Sequence, residues 1–460
     1  MIKQIKMRLI RGVWNRIGNA AVMLCVFGAL VSCNQQDMAI KEALRQAGDN
    51  RGELEYVLEY YKDNADKLSC ARFLIANMPA HYSYAGNAID SYYAIAKQVF
   101  ADTVLTPEQQ RDSLFAVTDR SFADLPNHTV PDARIITADF LIRNIDAAYR
   151  QWKECPWARQ AAFSEFCEYL LPYKAVELQS LDAWRDTLQN RFTDGVRNME
   201  PDDEQYGTAM GVADIVRGEV QNKMQRNGLY TRSGLPLLRA DLLPVQTFGN
   251  IPDYALVGAL ALRSAGVPTA LYETPVGARD VAATRWFAIL DDRGQLQTTE
   301  WDVSSGIGWA FFPYERGPKV FQMTYAMDAR RLEYKKNAKY QHPFELARKD
   351  VTNKYFLTAN LELPVEDPIR KQLKDRYVYI ASAVRDSVDW CIVDFGRMHH
   401  GKACFDNMGR EVMYRGFGYD GHELIPITDP FILHKDCSVE YIDCDSVSAP
   451  GYDYWRNDPV

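Results

Sequence analysis

Past its first 33 residues the chain has no apolar run long enough to cross a bilayer, which takes about 20 consecutive apolar residues as a helix. It has no cysteine between Cys167 and Cys391 and no histidine between His128 and His342. The middle of the chain therefore cannot build a thiol–imidazole pair from its own residues. CxxC and HExxH spacings are missing and the seven histidines are scattered, so neither a metal nor a cofactor is expected. No charge sign dominates: 53 Lys and Arg are interspersed with 61 Asp and Glu, for a net charge of −8. That balance argues against a nucleic-acid partner. No segment is disordered by composition and no internal repeat occurs. With 47% apolar residues, the 460-residue chain has material for several cores.

What is present starts at the N-terminus. Lys3, Lys6, Arg8, Arg11 and Arg16 form a basic leader without an acid, and an apolar stretch runs from Ala20 to Val31. Basic leader, short apolar run and small residues before a cut site are the pattern of a secretory signal. Leu30-Val31-Ser32-Cys33 resembles the bacterial lipobox, in which the cysteine is acylated and becomes the new N-terminus. The expectation is a signal peptide over 1–32, a lipid anchor on Cys33 and a cell-envelope protein whose partner is membrane lipid. Asn34, where inner-membrane retention favours Asp, points to the outer membrane, periplasmic or surface-exposed. Outside Cys25 and Cys33, seven cysteines remain in a compartment that permits disulfides. Cys437 and Cys444 are a candidate pair; buried free thiols are the equal alternative.

Three regions follow. Residues 33–174 read as a helical domain: Leu54, Val57, Leu58 and Tyr61 fall at three- and four-residue steps, and Pro79 ends one helix at Met78. Further helices are expected at 108–119, 132–152 and 158–171, the first opening on Thr106-Pro107-Glu108. Residues 175–335 mix helices, near 181–191, 206–225 and 252–265, with strands at 269–274, 285–290 and 297–301. Residues 336–460 carry short β-rich runs between turn residues, at 355–363, 376–383, 390–395, 402–405 and 411–414. That spacing suggests a small β-sandwich. The fold class expected is multidomain α+β.

The most informative stretch is Gly249 to Asp302. Asn250 can cap a helix with an apolar stripe of Ala255, Leu256, Ala259, Leu260 and Leu262, which ends Arg263-Ser264-Ala265-Gly266 before Val267-Pro268. A strand Thr269–Thr274 follows. Trp286-Phe287-Ala288-Ile289-Leu290-Asp291-Asp292-Arg293-Gly294 is then a strand entering a tight turn, with Thr299-Glu300-Trp301-Asp302 on the return. This region resembles the core of the transglutaminase-like superfamily, related to papain-type cysteine proteases. It resembles, more specifically, transglutaminase-domain lipoproteins of Bacteroidetes, which carry a helical domain in front and a β domain behind. Glu168-Tyr169-Leu170-Leu171-Pro172-Tyr173-Lys174 with Trp184-Arg185, and Asn77-Met78-Pro79-Ala80-His81-Tyr82, fit the same resemblance.

The resemblance implies a thiolate at the helix start, a histidine on the facing strand and an acid that orients it. Twelve residues before Arg263 stands Ile251, and two before Trp286 stands Thr284. Isoleucine has no nucleophile, and threonine is no general base near pH 7. Only the acid survives, as Glu300 or Asp302. The expectation is a degenerate, papain-like α+β core that binds a peptide or glycan or acts as a scaffold. The alternative is a hydrolase using non-family residues such as Glu300 and Asp302, which share a strand face. Trp286, Trp301 and Trp309 are the candidate stacking residues for a ligand; core packing is their ordinary role. His399-His400 near Cys404 reads more simply as a turn.

Overall fold

The structure is a computed structural model. It describes all residues except 1–34, 122–127, 198, 200–206, 224–234, 250, 277–283, 299–315, 384–389 and 443–460. Cys33, Glu300, Trp301, Asp302 and Trp309 lie outside the described residues, as does Cys444 of the candidate disulfide. The architecture is mixed α+β, and the chain divides into two compact units. One runs through Pro79 and takes in Pro131–Leu141; the other holds Ala80–Val130 and everything from Ile142 onward.

The first unit contains helices α1 (35–47), α2 (Arg51–Tyr60) and α3 (Ala65–Asn77). Gly48, at φ 58°, breaks the chain between α1 and α2, and the Asn64 carboxamide caps α3 at the Lys67 N–H. Leu54, Val57, Leu74 and Ile75 have no exposed surface. The Asn50 Nδ2 donates to the Ala133 and Ile136 carbonyls at 2.9 and 2.8 Å, tying 131–141 to the helices.

The expected helix at 132–152 is two elements, a 3-10 turn at Asp132–Arg134 and helix α6 at Ala138–Glu154. Thr137 Oγ1 accepts the Phe140 N–H and sets the later start. Helices α4 (Asn87–Ala101) and α5 (Pro107–Ser121) precede α6, flanked by strands β1 (Tyr82–Tyr84) before them and β2 (Thr129–Pro131) after them. The expected helix at 158–171 contracts to α7 (Phe163–Tyr169), because the Glu165 carboxylate accepts the Ala162 N–H and fixes the start there. Then come α8 (Trp184–Phe192), α9 (Asp194–Arg197), α10 (Ala209–Lys223) and α11 (Ile251–Ser264).

Helix α11 stops as its sequence requires. Gly266 sits at φ 80°, Val267 N–H reaches back to Leu262 O at 3.0 Å, and Gly266 N–H donates to Arg263 O. Strands β3 (Thr269–Thr274), β4 (Thr284–Leu290), β5 (Leu296–Thr298), β6 (Phe321–Met323) and β7 (Arg348–Asp350) form an antiparallel sheet in the order β5-β4-β3-β6-β7. Leu271, Phe287, Ile289 and Met323 on one face pack with α8, α10 and α11. Tyr272, Trp286 and Ala288 on the other pack with Val320, Val351 and Tyr355.

After helix α12 (Ala329–Asn337), β8 (Thr358–Pro364) and the short α13 (Asp367–Arg370) come β9 (Tyr377–Ala383), β10 (Trp390–His399), β11 (Lys402–Gly409), β12 (Val412–Tyr419), β13 (Leu424–Pro426), β14 (Phe431–Leu433) and β15 (Val439–Tyr441). Their pairings link them into one continuous path. One antiparallel path, β15-β14-β12-β9-β10-β11-β8, curls on itself as a half-barrel, with β13 beside β12. The turn of the path is in β10, whose body pairs with β9 and whose last two residues pair with β11. Gly396 permits it: a Cβ there would stand 2.6 Å from the Cys404 carbonyl oxygen. The curl encloses Leu361, Val378, Val393, Phe405 and Tyr414 in one core.

Candidate functional site

Helix α11 and the β3–β4 hairpin form the part of the fold that carries the resemblance. Ile251 is the first residue of α11, and Thr284 opens β4 opposite Thr274, the last residue of β3. Trp286 is not a ligand platform. Its ring has no exposed surface, stacks on Tyr272 at 5.9 Å and donates from Nε1 to Tyr355 Oη at 3.2 Å. It is core on the sheet face away from α11, where both sides of the sheet are covered.

A thiol lies against the far end of this helix: a Cβ on Gly266 would stand 2.9 Å from Cys155 Sγ. Burial, with Glu154 nearby, pushes that thiol up to about 11. A C-terminal helix end also disfavours a thiolate, so Cys155 is an inert packing residue.

The structure gives a defined place to an imidazole that the sequence shows in a flanking motif without a role. His81 comes from the segment before β1 and lies under Tyr325, stacked at 4.2 Å with 2% exposure. Its Nε2 donates to the Tyr325 carbonyl at 2.9 Å, and its Nδ1 lies 2.5 Å from Glu177 Oε1. A carbonyl accepts only, so Nε2 carries a hydrogen, and a proton must also lie between Nδ1 and the carboxylate. Both ring nitrogens are committed, and no lone pair remains to act as a base. Burial pushes the Glu177 carboxyl up, but His81 and Lys174 beside it and the Tyr82 N–H leave it below the ordinary carboxylate range.

Around this pair the two flanking motifs meet. Lys174 Nζ donates to Tyr82 O at 2.8 Å and Ser83 Oγ at 3.0 Å. Glu168 accepts the Tyr325 and Ala326 N–H groups, and burial nonetheless raises its carboxyl. Arg263, at the end of α11, donates twice to Thr269 O, at 3.0 and 2.8 Å. Arg185 donates to the carbonyls of Leu170, Pro172 and Arg263 and to the side-chain oxygens of Asn144 and Gln151. The space beside His81, Lys174 and Glu177 is about 10 Å³, room for one water. The cluster is a structural lock that holds β1, the 174–179 segment and the turn after β6 together.

Open space of another kind lies on the N-terminal half of α11. Leu256 and Asp253 of α11, Tyr92 of α4, Leu114 of α5 and the 235–248 segment with Leu237 and Leu238 enclose about 40 Å³. Most of its residues are leucines, but the wall they present is more polar than apolar, with Gln246, Asp253 and Tyr92 among the polar members. That volume suits a small aliphatic group and is well short of the roughly 150 Å³ that takes a benzene-sized ring. Comparisons with protein-family models, with curated proteins and with solved structures give no match to this chain.

Proposed function

We propose that the chain is a lipid-anchored envelope protein whose 175–335 region is a catalytically degenerate relative of transglutaminase-like domains. It binds a peptide, one aliphatic side chain of which enters the pocket beside α11. Support for the degenerate core comes from the order helix, Gly-Val-Pro, strand, hairpin, together with Ile251 and Thr284 at the nucleophile and base positions. The observation that carries the ligand class is the pocket's size: about 40 Å³ ringed by leucines takes a small aliphatic side chain and is too small for a sugar ring.

The test is titration of the detergent-solubilised full chain with Leu- and Val-containing peptides and with peptidoglycan oligosaccharides. Peptides are expected to bind, and Leu238→Trp, which fills the pocket, is expected to weaken them at least tenfold. Oligosaccharide binding that Leu238→Trp leaves intact defeats the peptide reading. Cys33→Ala is expected to move the chain from the membrane pellet to the soluble fraction. A variant that still pellets with membranes removes the lipid anchor from the proposal.

A further inference from the structure

The 235–245 segment that walls the pocket is held unevenly. Its far half is anchored: Leu242 and Leu243 are buried, and their N–H groups return to Arg239 O. Just beyond, Phe248 packs on Phe100 at 5.7 Å and Thr247 bonds Gln110. Its near half, 235–240, is tied by two side-chain hydrogen bonds. Tyr93 Oη of α4 donates to Leu237 O at 2.9 Å while meeting Ser180 Oγ at 2.8 Å. Asp182 Oδ2 accepts the Ala240 N–H at 2.7 Å.

The second tie is an uneasy one. Asp182 Oδ1 is buried without a hydrogen-bond partner, and Arg239 Nε has only the Asp241 carboxylate, at 3.6 Å. Such atoms cost free energy in the closed arrangement and regain water when the segment lifts. We infer that 235–240 is a flap over the peptide pocket, hinged at the anchored Leu242–Leu243 turn and latched by Asp182 at the Ala240 N–H, and that ionisation of Asp182 favours its opening. The purpose of this device rests on the peptide-pocket reading; its test does not.

The direction follows from what surrounds the carboxyl. Asp182 faces Arg239 and Asp241 of the flap, Tyr93 of α4 and the N-terminal Trp184 N–H of α8. Burial pushes its pKa up to about 6, and the Ala240 N–H and Arg239 offset this only in part. With the flap lifted, the carboxyl meets water and returns toward the usual value near 3.9. The closed form therefore holds the proton more tightly, and opening is linked to its release. Acid keeps the flap shut; neutral pH loosens it.

Hydrogen exchange of the full chain in detergent reads the flap without any ligand. After correction for intrinsic exchange, the opening constant of 235–240 is expected to be about tenfold larger at pH 7.5 than at pH 5. Asp182→Asn should flatten that ratio to within twofold. Tyr93→Phe, which removes the other tie, should raise opening at both pH values and keep the ratio, which covers the case of a poorly folded Asp182 variant. Equal protection at the two pH values, or greater opening at pH 5, overturns the latch. A wild-type pH ratio in Asp182→Asn does the same. A pH-dependent flap in a chain that binds no peptide defeats the pocket reading and leaves the latch standing, and peptide binding over a pH-independent flap does the reverse.

Discussion

Arg185→Met is expected to cost about 3–5 kcal/mol of stability, the range for removing one member of a buried charge-bearing cluster. The guanidinium is fully enclosed, and burial with Arg263 close by draws its pKa down to about 9. Among the described residues it has no carboxylate partner at hydrogen-bonding distance. What holds it is acceptor oxygens: three main-chain carbonyls and the side chains of Asn144 and Gln151. The Arg263 carbonyl belongs to the last turn of α11, where the helix dipole favours a cation. Met restores the apolar stem but leaves those oxygens facing a dry interior, at about 1–3 kcal/mol for each one left unpaired. The Arg263 carbonyl keeps Gly266 N–H, so it suffers least. Relief of the buried charge works the other way, which keeps the expected loss near 3–5 kcal/mol rather than the full sum. Arg185→Lys should fall between, since one ammonium cannot reach the whole fork of acceptors. Trp184, 1% exposed and stacked under the guanidinium at 4.5 Å, makes urea unfolding followed by tryptophan fluorescence a local readout. A loss under about 1 kcal/mol would mean that water replaces the guanidinium and that the cross-link is dispensable.

Arg185 also marks how far the sequence could be read. Its neighbourhood stood out as a motif, but nothing in the spacing said that Asn144, Leu170 and Arg263 would converge on one side chain. Elements whose ends depend on local chemistry were legible. Gly266 stops α11 at Ser264, and β3 occupies Thr269–Thr274 because a proline precedes it and Thr269, Tyr272 and Thr274 favour a strand. Ends set by distant or side-chain partners were not, as with the 3-10 turn before α6. Trp286 was misread for a physical reason. Both faces of its sheet are covered, so β3 is buried along its whole length and alternation cannot separate a core tryptophan from an exposed one. The half-barrel was hidden similarly: the strands were visible, but the missing Cβ of Gly396 against Cys404 decides that they curl into one path.

The His81–Glu177 pair lay beyond sequence reasoning, since its members are 96 residues apart and neither falls in the helix–hairpin motif. Its place in the fold explains why an imidazole beside a carboxylate need not signal catalysis. A catalytic histidine keeps one nitrogen for substrate, whereas this one spends both on protein acceptors, one of them a main-chain carbonyl that cannot exchange roles. The same geometry makes the pair a determinant of acid stability.

Glu177→Gln is accordingly expected to lower stability at pH 7 by about 3 kcal/mol, the lower end for breaking a buried ion pair. The amide can still accept the Tyr82 N–H, but it leaves Lys174 without its neighbouring counter-charge. The pH dependence has a definite sign. The folded Glu177 carboxyl titrates below its unfolded value, so its contribution is complete above the ordinary glutamate range and is lost as pH falls through the lower, folded value. Wild type should therefore approach the variant in stability only below the ordinary glutamate range, where the folded carboxyl takes up its proton. Thermal melts of both chains from pH 7 down to pH 3 measure the gap directly. A gap that stays constant across that range would assign the pair's contribution to packing and hydrogen bonding alone, and the buried charges around His81 would carry no net stabilisation.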